Sequence, residues 1–153
     1  MPELISPDVF DLDAMVADLA TLVEVESPSL DLDALERSAT TVAAMIERHL
    51  GGICEFVPSE AGPHVHWRGG DRPRVLILGH HHTVDPIGPL ERRPFTVADG
   101  IATGPGVFDK LGGVVQALPG LSRVDDLSGV EILFSSDEEV GSLHSRGLIE
   151  ERA

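Results

Sequence analysis

With 153 residues and 42% hydrophobic content, the chain is long enough for one domain with a real core. Its 26 acidic residues outnumber 11 Lys plus Arg, giving a formal charge of −15, so no basic stripe exists to neutralise nucleic-acid phosphates. The single cysteine, Cys54, excludes an intrachain disulfide framework and a thiolate metal cluster.

The start, "MPELISPD", lacks a basic region followed by a long apolar stretch. The strongest apolar run, residues 75–78, is far too short to cross a bilayer. Cytoplasmic residence, without membrane or nucleic-acid partners, is the expectation. Leu12, Met15, Val16, Leu19, Leu22 and Val23 recur at helical spacing, which predicts an amphipathic helix over roughly residues 8–25. "ESPSLDLD" breaks that pattern. Leu32, Leu35, Ala39, Val42 and Ile46 restart it in a second helix, over about residues 31–50, ended by Gly51-Gly52.

Period two then takes over. "CEFVP" reads as a half-buried strand with Cys54 as a small core residue, and "HVHWR" as an edge or outer strand. In the latter, Val65 and Trp67 share the inner face, while His64 and His66 face solvent. "RVLIL" is continuously apolar, as expected of a strand buried on both faces. The Gly- and Pro-dense region 86–106 predicts loops with one short strand near Phe95-Thr96-Val97. Leu111, Val114, Val115 and Leu118 predict a helix that Pro119 ends or kinks. "VEILFSSDEEVGS" reads as a buried strand running into a polar loop, and "SLHSRGLIEERA" as a short last helix weakened by Gly147. This element order fits a layered α/β sandwich. The chain ends inside a helical segment, which suggests a boundary imposed on a larger protein.

Three clusters carry the chemistry: "GHHHTVD", "GPGVFDKLGG" and "SSDEEVGS". The first and third follow apolar strands, whose carboxyl ends line the crevice of an open α/β sheet. Imidazole and carboxylate donors suit Zn²⁺, Co²⁺ or Mn²⁺ better than a thiolate-selective ion. A remaining free acid could take a proton from the attacking water. On the residues alone, a strand-end metal site and an ordinary polar rim both stay open. A phosphate-binding loop is excluded by the order Phe108-Asp109-Lys110, and a serine hydrolase by the absence of a nucleophile elbow at Ser135-Ser136.

Together, "LVEVESPS", "LILGHHHTVDPIGP", "DGIATGPGVFDKLGGVVQAL" and "EILFSSDEEVGS" resemble a family of two-metal exopeptidases and amidohydrolases. That family includes glutamate carboxypeptidase, succinyl-diaminopimelate desuccinylase, acetylornithine deacetylase and aminoacylase. The resemblance implies an α/β sandwich with a mixed, mostly parallel sheet, part of a zinc-exopeptidase-like catalytic domain. It implies His80 as a metal ligand, His81 at a variable position, and Asp109 as the carboxylate bridging two Zn²⁺ ions. Glu138 matches the general base and Glu139 a ligand to one metal.

Three departures accompany the resemblance. His82 stands where the family has the Asp that orients the ligand imidazole, a task commonly worth about 10–100-fold in affinity or activity. A neutral His82 could accept a hydrogen bond or coordinate metal itself. The family's Asp-Met-Lys-Gly-Gly reads Asp109-Lys110-Leu111-Gly112-Gly113 here, rotating the Lys by roughly 100° if the segment is helical. The family's dimerisation domain and carboxy-terminal ligands have no counterpart, so residues 1–153 read as the amino-terminal part of a catalytic domain. The expected activity is hydrolysis of an amide bond in a small N-acyl amino acid or dipeptide by the full-length relative, with this chain inactive alone. The alternative is a non-catalytic fragment, structural relative or engineered scaffold retaining only the fold. An exposed sheet edge would then favour oligomerisation.

Overall fold

The computed structural model describes residues 6–153; the "MPELI" of the start lies outside the described residues. Helix α1 spans Leu12–Glu24 and α2 spans Leu32–Leu50. Each begins at an aspartate whose side chain accepts a backbone N–H three residues on, Asp11 from Ala14 and Asp31 from Ala34. The apolar stripe Leu35, Ala39, Val42 and Ile46 is buried, and Gly51 ends α2 with a φ of 72° that favours glycine.

Asp18 on α1 accepts from Arg48 and His49 on α2, each at 2.8 Å, and so fastens the two helices. Burial alone raises its pKa, but the hydrogen bonds from His49 and Arg48 outweigh that and hold the carboxyl below its ordinary value. A depressed carboxylate contributes stability that is full above the unfolded pKa and lost as pH falls through the folded one. Asp18→Asn is therefore expected to cost about 1–2 kcal/mol near neutrality, discounted for the exposed Arg48. The gap from wild type should close in acid, as read from urea midpoints across the pH range. A gap constant down to the lowest pH would contradict this.

The strands are β1 (Glu55–Val57), β2 (His64–Arg68), β3 (Val75–His80), β4 (Thr96–Ala98), β5 (Ile101–Thr103) and β6 (Val130–Ser135). Four of them form one sheet in the order β1-β2-β6-β3, and β4 and β5 pair as a separate hairpin. The expected mostly parallel sheet is corrected here. β1–β2 and β2–β6 are antiparallel, and only β3–β6 is parallel. Parallel neighbours need a crossover of a dozen or more residues, and the link from β1 to β2 is a short turn. The sandwich with a mixed sheet stands; its direction is mostly antiparallel.

One sheet face presents Val65, Trp67, Ile132, Phe134 and Ile77 to α1, α2 and α3 (Gly112–Leu121), forming the core. The other face carries His64, His66, Glu131, Leu133 and His80. It meets α4 (Arg146–Arg152) through Arg152.

Three local expectations change. β3 is the marginal strand, with Val75 54% and Leu78 44% exposed, and β6 is the strand buried on both faces. β2 lies inside the sheet rather than at its edge, and His64 and His66 are buried. Polar partners make that burial tolerable: Ser136 N–H donates to His64 Nδ1, and His66 Nε2 lies 2.5 Å from Glu131. Helix α3 also continues through the buried Pro119 to Leu121, because a proline in the last turn removes a single intrahelical bond. A second short strand, β5, follows an Asp99-Gly100 turn with both φ values positive, the pattern of a tight hairpin. Cys54 packs in the core as expected, and burial pushes its thiol up to about 12. Among the described residues, no helix is long and apolar enough to cross a membrane.

Candidate metal centre

The parallel pairing sets His80 opposite Ser135, so β3 and β6 release their following loops at the same end of the sheet. The first loop is pinned by the segment that breaks α1 from α2. Thr83 N–H donates to Ser27 O at 2.8 Å, Ser29 N–H to Thr83 O at 3.2 Å, and the Ser27 hydroxyl to His81 O at 3.1 Å. The segment that breaks the helical pattern therefore anchors the histidine triplet.

His80 is buried, and its Nδ1 lies 3.0 Å from the carbonyl oxygen of His82. That acceptor assigns the Nδ1–H tautomer and leaves the Nε2 lone pair facing outward. Nε2 lies 3.8 Å from Asp109 Oδ1 and 3.6 Å from Glu138 Oε2. Both distances are too long for hydrogen bonds. One ligand atom each from His80, Asp109 and Glu139 lie within 4.8 Å of one another.

Asp109 is delivered by an interruption rather than a helix. Its φ/ψ of −87°/96° and those of Lys110, 85°/−49°, are non-helical, and α3 starts only at Gly112. The expected helical rotation of Lys110 therefore does not apply. Glu138 and Glu139 sit in a single turn after β6, and Asp137 holds that loop closed. Its Oδ2 accepts from His144 N at 2.7 Å and Ser145 N at 3.1 Å, and its carbonyl accepts from Ser142 N. Burial would raise the Asp137 pKa, but the bonds from Ser145 and His144 outweigh it and keep the carboxylate ionised. In the sequence Asp137 is only part of the polar loop after β6; its signal is an acid two residues past a strand buried on both faces.

The histidine triplet divides. His81 is an interior tie, with Nε2 3.0 Å from Pro63 O, Nδ1 3.1 Å from the Ser38 hydroxyl, and burial pushing it down to about 4. His82 is fully buried with its ring edge-on to that of His80, centroids 4.8 Å apart; burial first, then the neighbouring His80 and His81, push it down to about 3. Its Nε2 accepts from Glu139 N at 3.2 Å, so its ring steadies the backbone of the acidic pair. The bond that orients His80 is accepted by the backbone carbonyl of residue 82, which any residue there would supply.

Glu139 is raised by burial and by the charges of Asp109 and Glu138, with His80 opposing. Three carboxylates converging on one imidazole repel each other, and a divalent cation relieves that repulsion. The donor set thus fits one ion: one lone-pair nitrogen and two carboxylates, with a third acid to spare. Among the described residues no second group of three such donors occurs.

The family model of peptidase family M20/M25/M40 matches residues 76–153. Carboxypeptidase G2 of Pseudomonas sp. (strain RS-16) is 40% identical over 91 residues, covering 56% of this chain and 21% of that protein. The crystal structure of an M20 family metallo-carboxypeptidase, Sso-CP2 from Sulfolobus solfataricus, superposes with a TM-score of 0.70 at 20% identity. That superposition covers 94% of this chain and 35% of that one. The chain thus spans about a fifth of the length of the curated relative and about a third of the solved one.

Proposed function

The chain belongs to peptidase family M20/M25/M40, and on that footing we propose that it supplies the amino-terminal, metal-holding part of a catalytic domain. Its reaction is hydrolysis of an amide bond in a small N-acyl amino acid or dipeptide. The observation that carries the reading is the convergence of His80, Asp109 and Glu139 at the shared end of β3 and β6.

An ion held by these residues, Zn²⁺ by donor type with Co²⁺ or Mn²⁺ as substitutes, supplies Lewis-acid polarisation of the scissile carbonyl. His80 offers Nε2 in the tautomer fixed by the His82 carbonyl. Asp109, largely exposed, can turn either carboxylate oxygen toward the site. Glu138 is outside the triad, 54% exposed and 3.6 Å from His80 Nε2, which leaves it free to take a proton from the attacking water and return it to the leaving amine. His82 stays neutral and holds Glu139 in place through its backbone.

A second reading, a chain that keeps the fold without the chemistry, draws on the single triad found among the described residues and on the neutral His82. The test is hydrolysis of N-acetyl amino acids at saturating zinc, beside zinc uptake measured by dialysis. The expected result is about one zinc per chain with negligible turnover, because the donors for a second ion are not in the triad. Zinc-dependent turnover abolished by Glu138→Ala would contradict the inactivity, and no zinc uptake would favour the second reading.

A further inference from the structure

His64 is buried on β2, a strand separated from β3 and its His80 by β6. Its Nδ1 accepts the backbone N–H of Ser136 at 3.1 Å. An amide N–H can only donate, so Nδ1 carries the lone pair and the ring proton is assigned to Nε2. The Ser136 hydroxyl lies 3.0 Å from the same nitrogen and donates instead to Gly62 O at 2.9 Å. Ser136 is thus tied to the start of β2 by both its backbone and its side chain.

The other ring nitrogen looks toward Asp137. His64 Nε2 and Asp137 Oδ1 are both buried without a hydrogen-bond partner among the described residues, one a donor and the other an acceptor. Burial pushes the imidazole below its ordinary value; the Asp137 charge opposes that fall, and His144 adds to it. His64 therefore acts on two consecutive residues, Ser136 and Asp137, and the next two are Glu138 and Glu139. We propose that His64 is a positioning residue for the candidate metal centre: through Ser136 and Asp137 it fixes the backbone that presents Glu138 and Glu139 to His80 and Asp109. The assignment rests on the functional reading above and deepens it. Donors already held in place lose less freedom when an ion binds, so loosening them lowers affinity without removing a ligand.

The test compares two replacements. His64→Asn sets an amide oxygen where Nδ1 accepts, whereas His64→Gln sets its amide near Nε2 and leaves the Ser136 N–H unmet. Val65→Ala, the next residue of β2 with its side chain on the opposite face, controls for lost stability alone. In zinc competition against a chelating dye, His64→Gln is expected to weaken binding roughly tenfold, and His64→Asn and Val65→Ala by less than about threefold. A metal-free arm follows amide hydrogen exchange at Ser142 and Ser145, whose N–H groups bond to Asp137. Both should exchange several-fold faster in His64→Gln than in His64→Asn. Equal zinc affinities of the Asn and Gln variants, or as large a loss in Val65→Ala, would overturn the proposal. If the unaltered chain takes up no zinc, the metal reading fails by itself and the exchange arm decides: equal rates in the two variants overturn the role of His64, and faster exchange in His64→Gln upholds it. Should His64→Gln not fold, the ring ¹⁵N shifts of the unaltered chain decide. A proton on Nε2 upholds the contact with Ser136, and a proton on Nδ1 would overturn it.

Discussion

Arg152→Ala is expected to lower the unfolding free energy by about 3 kcal/mol, the low end of the range for removing one partner of a buried ion pair. Glu131 is 2% exposed, the second residue of the doubly buried β6, and Arg152 Nη1 lies 2.6 Å from its Oε1. The variant leaves that carboxylate with only His66, 2.5 Å away. It also removes the hydrogen bond by which α4 meets the sheet. At this chain length the loss corresponds to a Tm lower by roughly 6–12 °C. The control is the exposed pair Arg146–Glu150 one helical turn apart, where Arg146→Ala should cost less than about 0.5 kcal/mol. Equal effects of the two variants in thermal unfolding would show that the buried pair carries no special weight.

His80→Ala is expected to weaken zinc binding by more than about 100-fold, since loss even of an outer partner of a metal ligand costs 10–100-fold. His82 turns its Nε2 to the backbone of Glu139, and His81 is bound to Pro63 and Ser38. His81→Gln should leave affinity within a few fold while lowering stability, because its contacts are internal. Competition titration against a chelating dye reads both variants. If His80→Ala and His81→Gln weakened zinc equally, the imidazole at residue 80 would not be a ligand.

Much of this site was legible in the sequence because strand ends and short motifs fix it locally. "RVLIL" running into His80 and "VEILFS" running into the acidic loop mark two strand ends, and the parallel pairing sets them side by side. Asp31 ahead of an apolar stripe likewise marked the start of α2. What stayed hidden depends on partners distant in sequence. His64 and His66 alternate with Val65 and Trp67 like a solvent-facing pair, yet Ser136 and Glu131, some 65 or more positions away, satisfy them inside the protein. Strand direction was missed because an apolar run does not say which neighbour it pairs with. The turn of only a few residues between β1 and β2 already required an antiparallel pair. The placement of Lys110 was hidden by a helical assumption, whereas its φ is positive just before α3.

The central claim is that one divalent cation sits on His80, Asp109 and Glu139. Anomalous scattering at the zinc absorption edge, from crystals grown with zinc, tests it most directly. A single ordered ion is expected in contact with His80 Nε2 and a carboxylate oxygen each from Asp109 and Glu139. An ordered ion elsewhere with these three residues empty, or no ordered ion at all, would contradict it.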